Sequence, residues 1–262
     1  MTLMVGLVAL GRPLAAQTDY RNLDDDRPTR VEDAYPVEHY AFEAVLPYQL
    51  ERDQNDVTVH SLVPELSYGA FANTQIGFKL PLAIANGPGG SHTGLSGLRL
   101  FALHNFNIEG PALPALSLRV DGAFPVGSLA GDRSRVSFEG IATRSWGKNR
   151  IHLNGAFAAG PDDATPAVEG LPRWWAGAAL DRTLFRQSTL LIAELYFLKA
   201  ESTALTEINV SVGARYQWTP TTVLDIGVRR RLRSAIGPDI ALTIGLSHSF
   251  AIAGLMPGRP VR

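Results

Sequence analysis

Cysteine is absent from the 262 residues, which excludes disulfides and thiolate metal sites. No run of about 18 apolar residues appears, so a membrane-crossing helix is not expected. The formal net charge is only −1, too balanced for bulk attraction to nucleic acid. Catalytic signatures are scarce. The six histidines (His39, His60, His92, His104, His152 and His248) fall in no metal-ligand spacing, and no GxSxG is present. The "GPGG" at 87–90 lacks the lysine and the strand–helix setting of a phosphate loop, and reads as a surface loop. His152 and Asn154 share a polar face, and a hydrogen-bonding role rather than catalysis is expected of them. Neither a cofactor, a metal nor an enzymatic activity is expected. No convincing helical period occurs along the chain.

What the chain has is alternation. In "ALSLRVDGAFPV" (115–126), Leu116, Leu118, Val120, Phe124 and Val126 share one face, while Ser117, Arg119 and Asp121 share the other. Such a strand fits a soluble sheet, charged face to water, or a transmembrane barrel, apolar face to lipid and charges inside. The pattern repeats about twelve times, from Tyr40–Leu50 to Ile240–Phe250, mostly near the length a tilted strand needs to cross a bilayer. Short connections (71–74, 146–149, 185–188, 219–222, with 108–114 of medium length) alternate with longer ones (86–94, 127–134, 160–171, 199–207). Short turns at one end and long loops at the other are the layout of outer-membrane barrels, and a soluble sandwich has no reason to sort them so. The expectation is therefore an all-β, antiparallel up-and-down transmembrane barrel of about 12 strands over 37–255.

The aromatics agree. Tyr68, Phe106, Trp146, Trp218 and Phe250 fall near the short-turn end; Tyr48, Phe124, Trp174 and Phe197 fall near the long-loop end. Two girdles at the two lipid–water interfaces are expected from this placement. The final strand "IALTIGLSHSF" is similar to the C-terminal signal read by the barrel-assembly machinery, but carries His248 at an apolar position and twelve residues after Phe250.

By strand parity the lumen receives Glu43, Glu65, Asp121, Glu139, Asp181, Glu194 and Asp225, with Lys79, Arg99, Arg119, Arg215, Arg229 and Arg231. Seven acids against six bases do not make the ring of one sign that selects ions strongly. They predict a narrow interior laced by ion pairs, since twelve strands enclose a space between a side-chain-filled barrel and an open channel. Arg230, in the run "RRRLR" (229–233), has lipid-side parity and could reach lipopolysaccharide phosphates, the alternative being that the run is simply solvated by lumen and loop.

At the N-terminus, an apolar stretch from Leu3 to Leu10, then Pro13, Ala15 and Ala16, reads as a secretory signal over 1–17, cleaved near Ala16 or Gln17. The basic region that normally opens such a signal is missing, so the segment is expected to be short at its start; a buried strand or helix is the alternative. Residues 18–36, "TDYRNLDDDRPTRVEDAYP", are charged and aperiodic and read as a periplasmic arm or a plug. Residues 256–262 form a tail.

The phrases "PTRVEDAYPVEHYAFEA" (28–44), "PELSYGAFANTQIGFKLPLA" (64–83) and "GLSGLRLFALHNFN" (94–107) resemble the outer-membrane channel proteins associated with the meta-pathway of phenol degradation, often called simply transporters. The resemblance runs over most of the chain after the signal and rests on texture rather than a catalytic motif. It implies an outer-membrane barrel that passes small, hydrophobic or aromatic molecules, with no catalytic residues. The expected function is thus passive uptake or efflux. The rivals are a closed structural barrel and an outer-membrane lipid-modifying enzyme. Expected partners are outer-membrane lipid and lipopolysaccharide, the barrel-assembly machinery and a small solute, with no nucleic acid.

Overall fold

The computed structural model describes residues 19–53, 55–165, 167–201, 203, 205–233 and 237–256. The expected signal, 1–17, lies outside the described residues, as does nearly all of the tail. Twelve strands close into one antiparallel barrel. They are β1 (Ala41–Arg52), β2 (Thr58–Leu62, continued by Glu65–Phe71), β3 (Thr74–Lys79 and Leu82–Gly87) and β4 (Gly90–Leu95 and Leu98–Asn107). Then follow β5 (Ala115–Phe124), β6 (Arg135–Trp146), β7 (Asn149–Ala159), β8 (Trp174–Leu184), β9 (Thr189–Lys199), β10 (Glu207–Thr219), β11 (Thr222–Arg233) and β12 (Ile240–Ala251). Each strand pairs with the next, and β12 returns to β1 over the register Ala41↔Ala251 to Arg52↔Ile240, so the barrel closes; only the Gly90–Leu95 end of β4 is paired on one side alone.

Successive side chains of a strand point to opposite faces, and here the two faces differ throughout. On β5, Leu118 is 38% exposed while its neighbour Arg119 is 1% exposed. Outward leucine, isoleucine, valine and phenylalanine cover the barrel on every strand. Turns at 72–73, 147–148 and 220–221 and a single helical turn, Phe185–Ser188, close one end. Asn73 and Gly147 supply the positive φ, 58° and 62°, that tight hairpin turns require. The segments 125–134 and 160–173 cross the opposite end.

The structure departs from the sequence reading at 86–94. Instead of a loop, this stretch continues β3 and β4 as a hairpin, with Gly87 opposite Gly90. Below it lies a crease. Pro47, Pro64 and Pro81 stand 17 residues apart on β1, β2 and β3 and meet the sheet at one level. The N–H of Val63 donates to Pro47 O (3.2 Å), that of Leu80 to Pro64 O (3.0 Å) and that of Ser96 to Pro81 O (2.8 Å). Proline has no N–H to return the bond, so three neighbouring strand interfaces each keep one bond of a reciprocal pair.

Residues 19–37 run inside the barrel. Close approach is possible because inward positions lack side chains there. A Cβ on Gly213 would lie 2.8 Å from Pro28 Cβ, and one on Gly227, its cross-strand partner, 3.1 Å from the same atom. Tyr20, Leu23 and Val31 pack on inward Trp175, Leu190, Ile192, Tyr196 and Val223, while Ala34 packs with Leu103, Ala115 and Ile141.

Candidate permeation path and its plug

The inner segment is fixed by charge as well as by packing. Its acids sit on wall cations. Asp24 is 3.1 Å from Arg215; Asp25 is 2.9 Å from Lys79 and 3.5 Å from Arg119; Glu32 is 3.0 Å from Arg119; Asp33 is 2.9 Å from Arg150. In the opposite sense, Arg27 donates to wall Asp225 at 3.0 Å. Backbone groups join in. The N–H groups of Arg30 and Val31 donate to Glu194 at 3.0 and 2.9 Å, that of Ala34 to Thr143 Oγ1 at 3.0 Å and that of Val37 to Gln75 Oε1 at 2.6 Å. Arg215 and Arg150 also donate to the carbonyls of Asn22 and Arg21.

Twelve of the thirteen inward charges expected from parity are buried on the lumen side; Arg229 is half-buried at the mouth. They do not form one ring. Lys79 with Glu65 (3.2 Å) and Arg119 with Asp121 (2.8 Å) gather at mid-height, where Asn154 donates to Glu139 at 3.0 Å. Asp181 takes Arg150 at 2.6 Å, and Arg215 and Asp225 face each other across β10 and β11. Glu43 is buried beside Arg27 and Arg215, near the short-turn end. Arg99, Arg229 and Arg231 belong to the long-loop mouth. Arg99 donates to Glu169 O at 2.6 Å, Arg229 pairs with Glu51 and Arg231 with Asp239.

Parity would also have placed Arg135, Arg150, Glu51 and Glu207 inside. Arg135 and Arg150 lie two residues before Ser137 and His152 on already assigned faces, so extending the alternation by one period finds them. The inner segment's own acids offered no such signal, because their partners are spread over β3, β5, β7 and β10. The nine girdle aromatics all point outward. Phe106, Trp146 and Trp218 are strongly exposed, Phe42 stacks between Tyr68 and Phe250 (centroids 4.4 and 5.3 Å), and Tyr48 shares a hydrogen bond with His60 Nδ1 (2.8 Å).

Two cavities approach the inner segment from opposite ends. On the long-loop side, a chamber of about 90 Å³ touches Asp25, Arg30, Glu51, Lys79, Glu139 and Trp175. It is roofed by residues 167–173. Glu169 N–H donates to Ser96 Oγ (2.7 Å), Ser61 donates to the Glu169 carboxylate, Val168 N–H donates to Leu129 O (3.1 Å) and Arg135 to Leu171 O (3.0 Å). Burial, with Glu51 close by, pushes the Glu169 carboxyl up to about 7, against Ser61 and Arg99, which pull it down. On the short-turn side a cavity of about 340 Å³ reaches Asp33, Glu43 and Arg150. Between them the lumen is crossed by Asp24, Arg27, Glu32, Arg119 and Arg215.

A hydrogen-bonded row, Thr143 Oγ1 to His152 Nδ1 (3.0 Å) and His152 Nε2 to Asp181 Oδ2 (3.0 Å), has the residue types of a nucleophile–base–acid relay. His152, Thr143 and Asp181 are fully buried, and Ala34 N–H and Arg150 occupy the remaining approaches. In this arrangement the row is a polar clamp on the inner segment. Among the described residues no group of His, Asp and Glu is arranged to hold a metal ion.

A closed twelve-stranded barrel, apolar outside and charged inside, is the fold class of outer-membrane barrels. No family model matches the chain, and no curated protein matches it. Solved structures do. The COG4313 outer membrane channel from Pseudomonas putida F1 is similar over 83% of this chain and 98% of its own, at 19% identity and a TM-score of 0.64. The KdgM porin is similar over 79% and 98%, at 14% identity and 0.52, and the NanC porin over 79% and 98%, at 8% identity and 0.52. At these identities the likeness is one of fold.

Proposed function

We propose that the protein is a channel of the Gram-negative outer membrane for passive movement of small molecules, and that the structure is its closed form. The observation that carries this reading is the pair of cavities meeting one inner segment from opposite ends of a polar lumen. A barrel built only as a scaffold has no need of either. The apolar outer face supports placement in lipid, where water would not tolerate so much exposed leucine and phenylalanine. The outward aromatics then lie at the two interfaces, in reach of lipid and lipopolysaccharide headgroups, and the last strand serves the assembly machinery. The inward charges, Arg119 and Asp121 foremost, line the path. The solute is small, in keeping with the chamber. The hydrophobic or aromatic class implied by the resemblance is compatible with Trp175, Pro47, Val63 and Pro81, which line it beside the charges.

Cell fractionation should recover the protein in the outer membrane, and unheated samples should migrate anomalously on gels. In planar bilayers the folded protein should pass ions in brief openings from a closed baseline. Recovery in the soluble periplasm would end the membrane reading. A folded barrel that never conducts would leave the closed structural barrel.

A further inference from the structure

We infer that residues 19–37 are a displaceable gate rather than a permanent filling, a reading that rests on the channel proposed above. Losing one partner of a buried ion pair is normally costly, because the other charge stays buried and unpaired. Here every wall cation that holds the inner segment has a wall carboxylate to fall back on. Lys79 has Glu65, its direct cross-strand partner, at 3.2 Å. Arg119 has Asp121, two residues on along the same face, through two bonds of 2.8 and 2.9 Å. Arg150 has Asp181, again a direct cross-strand partner, at 2.6 Å.

The fourth cation completes the pattern. Arg215 and Asp225 are direct partners across β10 and β11, yet they are not bonded to each other. Asp24 takes Arg215 and Arg27 takes Asp225, so the inner segment has inserted its own pair into a wall pair. Asp24 and Arg27 are themselves 2.5 Å apart. When the segment leaves, the wall pair closes across a spacing that suits facing side chains on neighbouring strands. Asp24 departs with Arg27, and Asp26 with Arg30, already at 3.2 Å. Only Asp25, Glu32 and Asp33 exchange a cation for water. Apolar contacts of Tyr20, Leu23 and Val31, with the backbone bonds to Glu194 and Thr143, keep the closed form preferred.

Two neutralisations around Arg119 separate a gate from a filling. In the full-length folded protein, Glu32→Gln removes a partner present only in the closed form and should raise the open fraction several-fold in single-channel records. Asp121→Asn removes the partner Arg119 keeps in both forms, leaving it bare when the segment departs, and should lower the open fraction several-fold. A merely structural segment would loosen with both. Changes of the same sign overturn the gate. A tether decides the matter if either variant fails to fold. Gly177 faces Val31, with 3.1 Å between an added Cβ and Val31 Cγ2 and 2.8 Å to Tyr196 Cβ, which must shift to admit it, and the chain has no native cysteine. The pair Val31→Cys and Gly177→Cys should silence current when oxidised and restore it when reduced. Equal current in both states overturns the gate while leaving the channel intact. Absence of any current from folded wild type overturns the channel reading, and the gate with it.

Discussion

The two arcs of the lumen wall hold the same inner segment by different physics. Along β2–β6, Glu65, Lys79, Arg119, Asp121 and Glu139 present charge, and the segment answers with Asp25 and Glu32. Along β8, β9 and β11, Trp175, Leu190, Ile192, Tyr196 and Val223 add apolar surface to the carboxylates of Glu194 and Asp225, and the segment answers chiefly with Tyr20, Leu23 and Val31. The charged arc fixes where the segment sits, since hydrogen-bonded ion pairs have narrow geometry. The apolar arc supplies non-directional adhesion. A gate needs both qualities, a defined seat and a hold that does not depend on any single bond.

Arg119 carries most of the charged arc's hold. Arg119→Ala leaves Asp25, Glu32 and Asp121 crowded without their cation, with an expected cost of roughly 3–5 kcal/mol. The melting temperature of the refolded barrel should drop accordingly, and the reversal potential in a salt gradient should move toward cations, because acids of one sign then dominate the path. An unmoved reversal potential would mean that the ions take another route.

The apolar arc should yield next. Leu190→Ala removes a fully buried side chain against the segment, at roughly 2–5 kcal/mol. The loss should appear as faster proteolysis of residues 19–37 with the barrel itself still resistant to unfolding on unheated gels. Damage confined to the barrel would show that Leu190 packs for the wall alone.

The third test sets the outer face against the inner. Leu118→Arg puts a charge into lipid near mid-strand, costing roughly 2–4 kcal/mol, and should lower the folded yield in lipid. From parity alone, Ser117→Arg would be mild. The structure corrects that expectation, because Ser117 donates to Ala34 O at 2.5 Å and accepts from Asn105 at 3.0 Å. Ser117→Arg should leave the barrel folded but expel the segment around Ala34, seen as protease access. Equal losses of barrel folding in both variants would contradict the assignment of faces.

The smallest effect lies at the mouth. The Glu169 carboxyl is raised to about 7 by burial, with Glu51 as like charge, while Ser61 and Arg99 favour ionisation and Asp26 opposes it. A carboxyl raised on docking stabilises the docked loop fully below its free value near 4.5, and that contribution is lost as pH climbs through about 7. Trypsin cleavage after Arg173 should therefore quicken from pH 5 to 8 relative to Glu169→Gln at each pH. A constant ratio would remove Glu169 from the latch.

The wall was legible in the sequence because alternation is a local property; period two in each strand orders Leu116 to Val126 without knowledge of any neighbour. The assignment stops short where the cue does. Arg135 and Arg150 lie at the starts of their strands, so their face is marked only by working backwards from Ser137 and His152. Leu190, Ile192 and Tyr196 point inward, although a polar lumen was expected, because they face the inner segment and not water. For that segment a plug was one of two readings, but its path along the wall was not legible. Its charges are aperiodic, and its seat on Gly213 and Gly227 exists only once β10 and β11 are side by side.

The proline crease has a consequence for cooperativity. With one bond instead of two at each of three interfaces, the outer pieces Thr58–Leu62, Leu82–Gly87 and Gly90–Leu95 are joined to the lower pieces of their own strands by a thinned level of the sheet, and to the rest of the barrel through the Tyr48↔Leu62 to Arg52↔Thr58 ladder on β1. They should open as a unit of their own, and their amides should exchange hydrogen well ahead of those in Glu65–Phe71 and Leu98–Asn107 on the very same strands. Replacing Pro47, Pro64 and Pro81 together by alanine would return the three missing donors and fuse the two units into one.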